Sequence, residues 1–149
     1  RMMPNTPVAI GQGMTTFATS QAENARLFED LMAQSGLVKQ LPENLMDAAT
    51  AIAGCGPAFI YELIEAMTAA GIQNGLTAQV AQDLASQTVL GAAQMVLESD
   101  QHPAQLRDQV TSPGGSTIAG LVALTQAGFQ AATIQGVNQA LERTKELGQ

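Results

Sequence analysis

The segment Ser112-Pro113-Gly114-Gly115-Ser116-Thr117 gathers the groups that could hold a small anion. Pro113 fixes its own φ and lacks an N–H, and Gly114 and Gly115 tolerate backbone angles that other residues avoid. The helical pattern before them therefore cannot continue through the turn. From Ser116 onward, Ile118, Leu121, Val122 and Leu124 recur at helix-like spacing. The amides of Gly115, Ser116 and Thr117 are thus expected to lie unpaired at a helix N-terminus, with the helix dipole behind them. The glycines let a ligand approach the backbone, and the two hydroxyls add donors and acceptors. An ordinary turn and N-cap accounts for this segment without a ligand, and it is the commoner outcome for such residues.

Other chemistry-bearing residues are poorer candidates. Gly54-Cys55-Gly56-Pro57 begins like a dinucleotide fingerprint but lacks the third glycine and a preceding strand, so it reads as a helix break. Cys55 has no nearby base and reads as a small buried residue. His102, before Pro103, reads as a solvated residue at a helix start. Glu62 and Glu65 share a helix face, but no histidine completes a Glu-x-x-His metal pattern. No metal ligands are assigned.

The composition narrows the partners. The chain has 149 residues, 46% hydrophobic and only 13% charged, about half the usual charged fraction. So little charge points to extensive burial in an oligomer, the alternative being a compact monomer with a Gln/Asn/Thr-rich surface. The net charge is −7 with six scattered Lys and Arg residues, which argues against nucleic acid. An anionic substrate would have to rest on backbone amides rather than on an arginine clamp. A single cysteine makes no intrachain disulfide, and no apolar run nears the ~18 residues that span a membrane. The N-terminus lacks a signal-peptide shape, so the default compartment is the cytoplasm.

Two kinds of element must position these residues. Residues 1–41 read as the end of an α/β layer. A Pro-rich opening is followed by a short strand around Met14–Thr19. Ser20 and Glu23 form a capping box for a helix bearing Leu27, Phe28, Leu31 and Met32, which stops at Gly36. Leu37–Leu41 reads as a short edge strand. Residues 42–149 read as all-helical, with about six helices. These run from Leu45 to the break at Gly54–Pro57, from Phe59 to Gly71, and from Thr77 through Val96. A short one follows Pro103, another runs from Ser116 to near Gly128, and the last carries Phe129 to Leu147. The helix after Thr77 is apolar round most of its circumference, so it should be buried on several sides. The fold class is therefore mainly all-α with a small α/β remnant in front.

Several segments carry a resemblance. They are Met3-Pro4-Asn5-Thr6-Pro7, Ile52-Ala53-Gly54-Cys55-Gly56-Pro57-Ala58-Phe59, Gln87 to Ala93, His102 to Asp108, and Val110 to Gly120. In this order and spacing they closely resemble Δ1-pyrroline-5-carboxylate reductase, over essentially the whole chain. The resemblance implies reduction of the cyclic imine pyrroline-5-carboxylate to proline with hydride from NADPH or NADH. It implies a Rossmann domain, of which residues 1–41 are the C-terminal remnant, and a helical domain at 42–149 that forms an interlaced homodimer or a higher oligomer. The loop Ser112, Gly114, Gly115, Ser116 and Thr117 would bind substrate across the dimer, with the Thr117 hydroxyl, the catalytic group, on the ring nitrogen. Thr50 would lie near the substrate, and Pro4, Asn5 and Thr6 near the nicotinamide.

The sequence departs from that family at three points. Cys55 replaces a common serine, Ser116 replaces threonine or alanine, and no Gly-x-Gly-x-x-Gly unit is present. Alone, this chain is expected to bind nucleotide poorly and to be inactive. The other reading is a non-catalytic helical oligomerisation domain. A β-hydroxyacid dehydrogenase is disfavoured, because the catalytic lysine–asparagine helix motif of that class is not seen.

Overall fold

The computed structural model describes residues 1–148. They form two compact units: Arg1–Ile60 together with the chain from Thr133 on, and Tyr61–Ala132.

The first unit is built on a three-stranded sheet of β1 (Met2–Met3), β2 (Gly13–Phe17) and β3 (Gly36–Gln40), in the order β1-β2-β3. β1 runs antiparallel to β2 with Met2 opposite Phe17 and Met3 opposite Thr16. β3 runs parallel to β2 with Gly13 opposite Gly36 and Phe17 opposite Gln40. A parallel pair needs a crossover, and α1 (Ala22–Met32) supplies it. β2 lies in the middle, and Thr15, Thr16 and Phe17 are all buried. The β-branched and aromatic side chains that mark this strand in the sequence fill both of its faces. The Phe17 and Phe28 rings pack at 4.7 Å between centroids, which fixes α1 on the sheet.

Four local expectations are corrected here. The expected strand at Met14–Thr19 is β2, starting and ending earlier, and Met2–Met3 adds a strand that two residues could not announce. The Ser20–Glu23 capping box does not form. Thr19 Oγ1 accepts the Gln21 N–H at 3.2 Å, the helix starts at Ala22 with Gln21 as N-cap, and Asn24 Nδ2 donates to Gln21 Oε1 at 2.6 Å instead. Of the expected apolar face, Phe28 and Met32 are half-buried beside the buried Ala25, while Leu27 and Leu31 are exposed. Gly36 does not stop the helix, which ends at Met32. It opens β3 at φ 124°, where a Cβ would fall on the Gly13 backbone. Only glycine permits that angle and that approach.

After β3 the chain turns through Glu43–Leu45 into α2 (Met46–Ala49), a π-helical turn at Thr50–Gly54, and α3 (Gly56–Gln73). The expected break at Gly54–Pro57 is this π turn. Cys55 N donates to Thr50 O at 3.0 Å, one residue further back than in an α-helix, and the backbone on both flanks stays right-handed helical. Met46 is fully buried beneath it. Arg1 spans Glu43 (3.1 Å) and Asp47, tying the start of β1 to α2, and the Asp47 hydrogen bond holds its guanidinium pKa above the usual range.

The second unit comprises the rest of α3 with α4 (Ala78–Glu98), α5 (Pro103–Gln109) and α6 (Ser116–Gln126). Thr77 caps α4 as expected, accepting from Val80 N. Gly71 lets α3 and α4 approach, since a Cβ there would sit 2.8 Å from the Ala81 Cβ. Only Ala81 and Ala85 of α4 are buried, and Val80, Leu84, Leu90, Met95 and Leu97 are exposed. In the single chain the all-round apolar helix is therefore largely uncovered. Gly128 at φ 77° turns the chain into α7 (Phe129–Leu147). No single helix among the described residues is long and apolar enough to cross a membrane.

Candidate functional site

The Ser112–Thr117 turn forms as the sequence predicts. Gly114 adopts φ 69°, and Gly115 is the N-cap of α6 with extended backbone and no side-chain cap. The cradle is smaller than expected, because the Gly115 amide is not free: it donates to Ser112 O at 3.1 Å. This bond closes the turn on itself and is the physical reason the third amide is lost. No acceptor among the described residues takes the Ser116 and Thr117 amides, which precede the first possible intrahelical bond. The Thr117 hydroxyl likewise has no partner among the described residues, and Ser112, Ser116 and Thr117 are exposed. A Cβ at Gly115 would meet Ser112 Oγ, so a side chain there would displace the Ser112 hydroxyl. Two N–H groups, a positive helix end and the unpartnered hydroxyls of Ser112, Ser116 and Thr117 suit a carboxylate attached to a ring with a polar atom.

Pro4, Asn5 and Thr6 lie in the first unit, at the C-terminal end of β1. Thr6 is exposed and opens a 3₁₀ turn over Thr6–Ile10. The Asn5 side chain is committed within the chain: Nδ2 donates to Ala53 O at 3.0 Å, and Oδ1 accepts from Met14 N at 2.9 Å. Asn5 thus joins the loop to the π turn that carries Thr50. Thr50 is buried, and its hydroxyl donates to Met46 O at 2.8 Å, leaving only lone pairs for another group. The structure brings Pro4–Thr6 and the Thr50 turn together within the first unit, while the 112–117 turn belongs to the second. Ala53, whose carbonyl receives Asn5, escaped sequence reasoning. Its signal was Pro57, four residues on, which has no N–H to offer it.

The weaker candidates resolve as structural residues. His102 is the N-cap of α5: Nδ1 accepts from Ala104 N, and Gln105 Oε1 accepts from His102 N at 2.9 Å, completing a capping box. Glu62 and Glu65 are exposed, and Cys55 is half-buried. A cleft of about 750 Å³ bounded by Thr19, Gln40, Pro42 and Glu43 lies at the C-terminal ends of β2 and β3. Because β1 is antiparallel to β2, that is the end of the sheet opposite the Pro4–Thr6 loop.

Residues 43–147 match the family model described as pyrroline-5-carboxylate reductase dimerisation. The pyrroline-5-carboxylate reductase of Synechocystis sp. is 45% identical over 99% of this chain and 57% of its own length. That of Pisum sativum is 44% identical, over 99% and 55%. The crystal structure of Plasmodium falciparum pyrroline carboxylate reductase with NADP bound superposes with a TM-score of 0.93 at 36% identity, over 99% of this chain and 62% of that one. The Coxiella burnetii pyrroline-5-carboxylate reductase gives 0.93 at 39% identity, over 99% and 56%. The chain spans little more than half the length of the curated relatives it matches.

Proposed function

The chain belongs to the pyrroline-5-carboxylate reductase family, and on that premise we propose that the protein reduces Δ1-pyrroline-5-carboxylate to L-proline with NADPH or NADH, this chain carrying the substrate turn and the dimer interface. The observation that carries the reading is the turn at Ser112–Thr117, with the Ser116 and Thr117 amides and the Thr117 hydroxyl unengaged. The substrate carboxylate rests on the two amides and the positive end of α6, so no basic side chain is needed. The Thr117 hydroxyl hydrogen-bonds the ring nitrogen and orients the C=N carbon. Ser112, Gly114 and Gly115 shape the turn, and Thr50 lies near the ring. The cofactor, when bound, supplies the hydride to that carbon; the ring nitrogen gains one proton. The contribution of this chain is position.

Fit to the dinucleotide is confined to its nicotinamide end. Pro4, the Thr6 hydroxyl and the loop backbone are open to it, and Asn5 acts from behind, because both ends of its side chain are occupied. The given sequence carries no Gly-x-Gly-x-x-Gly unit to hold the pyrophosphate. Residues 1–41 are read as the end of the dinucleotide domain and 42–149 as the dimerising and substrate-binding domain. The protein works as a homodimer or a higher assembly of dimers, the turn of one copy serving the partner's pocket. Its compartment is the cytoplasm, which suits a single unpaired cysteine. The test compares this chain with a version extended to its relatives' length, by NADPH and NADH oxidation in the presence of pyrroline-5-carboxylate. Substrate-dependent oxidation by the extended protein, with matching proline, is expected. A well-folded extended protein that oxidises neither cofactor leaves the helical oligomerisation reading in its place.

A further inference from the structure

Within an α-helix the Ala53 carbonyl would accept from the amide of residue 57, but residue 57 is proline and has no N–H. The bond that would have used the next amide is also diverted, since Ala58 N donates to Cys55 O at 3.1 Å. The donor that reaches Ala53 O is Asn5 Nδ2, at 3.0 Å and from 48 residues away. The other end of the same carboxamide has a matching place in the sheet. The β1–β2 register, Met2 to Phe17 and Met3 to Thr16, sets Asn5 opposite Met14. Pro4 ends the ladder there, and Asn5 Oδ1 takes the Met14 N–H at 2.9 Å in place of a strand carbonyl. A carbonyl and an N–H on opposite sides allow only one orientation of the amide.

We propose that Asn5 is a positioning residue, a splint that supplies the hydrogen bond Pro57 withholds from Ala53 and so holds the Pro4–Thr6 loop in register with the π turn bearing Thr50. It acts on the loop and turn through their backbones. This deepens the reading of the loop as the nicotinamide-facing edge of the site and rests on that reading for its effect on activity. A part-buried carbonyl without a donor favours local opening, so removing the Asn5 donor while Pro57 is in place should loosen residues 50–58.

The test uses the protein extended to its relatives' length. Asn5→Asp keeps the shape and the acceptor for Met14 but removes the donor to Ala53. Asn5→Ala removes both ends. Pro57→Ala returns an N–H to Ala53 within the helix. Asn5→Asp is expected to speed amide exchange across residues 50–58 by about tenfold, the size of one net hydrogen bond to a part-buried carbonyl. In the Pro57→Ala background the same substitution should have much less effect. Kinetically, Asn5→Asp should lower kcat with little change in the pyrroline-5-carboxylate KM, because the displaced loop faces the cofactor and not the carboxylate. Unchanged exchange at 50–58 overturns the splint, as does an equal effect with and without Pro57. A rise in NADPH KM with unchanged exchange would make Asn5 a direct cofactor ligand and also overturns it. Exchange needs no substrate, so an extended protein without pyrroline-5-carboxylate reduction would remove the proposed function while the splint is still decided.

Discussion

Leu90 offers a quantitative test of the interface. It is 56% exposed in the single chain. It lies nine residues from Ala81, which at 100° per residue puts it on the opposite side of α4 from that buried position. Nothing among the described residues covers it fully, and under the proposed dimer a second copy does so. Complete burial of a leucine is worth about 1.5–3 kcal/mol, and a little over half of that, ~0.8–1.7 kcal/mol, remains to be gained at an interface. A two-fold dimer contains the residue twice, so Leu90→Ala removes about 1.6–3.4 kcal/mol from association. At ~1.4 kcal/mol per tenfold, the dimer dissociation constant should weaken by about 15- to 250-fold. Sedimentation equilibrium over a wide concentration range measures this directly. Leu31→Ala is the control, because Leu31 is 72% exposed but lies outside residues 43–147, which match the dimerisation family. An unchanged constant for Leu90→Ala, or an equal shift for both variants, would refute the assignment of the α4 face to the dimer.

Two further substitutions test the fold and the turn. Gly36→Ala should destabilise the first unit severely, by about 3 kcal/mol or more, because φ 124° disfavours a side chain and the Cβ would meet the Gly13 backbone. Thermal unfolding reads this, and a melting temperature within a degree or two of the parent would show that the β2–β3 approach is not tight. Gly115→Ala should push Ser112 away and open the turn, raising the KM for pyrroline-5-carboxylate at least about tenfold while the melting temperature barely moves. An unaltered KM would separate the closed turn from substrate binding.

The sequence disclosed elements better than their partners. β2 was visible because Thr15, Thr16 and Phe17 suit a buried strand, and α4 because Thr77 caps a long apolar pattern. The fate of α4's outer face was legible only as a demand for burial, since residue pattern cannot say whether the same chain or a second copy covers it. Local hydrogen-bond competition was harder to foresee. Thr19 captures the Gln21 amide and moves the start of α1 past the capping box. Ser112 O takes the Gly115 amide from the cradle. Gly36 looked like a helix stop because glycine serves both there and where two backbones meet, and only the Gly13 contact separates the two roles. The Asn5–Ala53 bond joins residues 48 apart. Pro57 announced an orphaned carbonyl, but nothing in the pattern named its donor.

The most direct measurement of the central claim is the steady-state kinetics of Thr117→Ala in the protein extended to its relatives' length, with pyrroline-5-carboxylate and NADPH varied in turn. Loss of a hydrogen bond to a charged ring nitrogen, about 1.5–3 kcal/mol, predicts a fall of about 10- to 150-fold in kcat/KM for the imine. The NADPH KM should be little changed, and Thr117→Ser should recover most of the loss. Kinetics indistinguishable from the parent would contradict the account, because the free hydroxyl at the head of α6 would then have no part in the reduction.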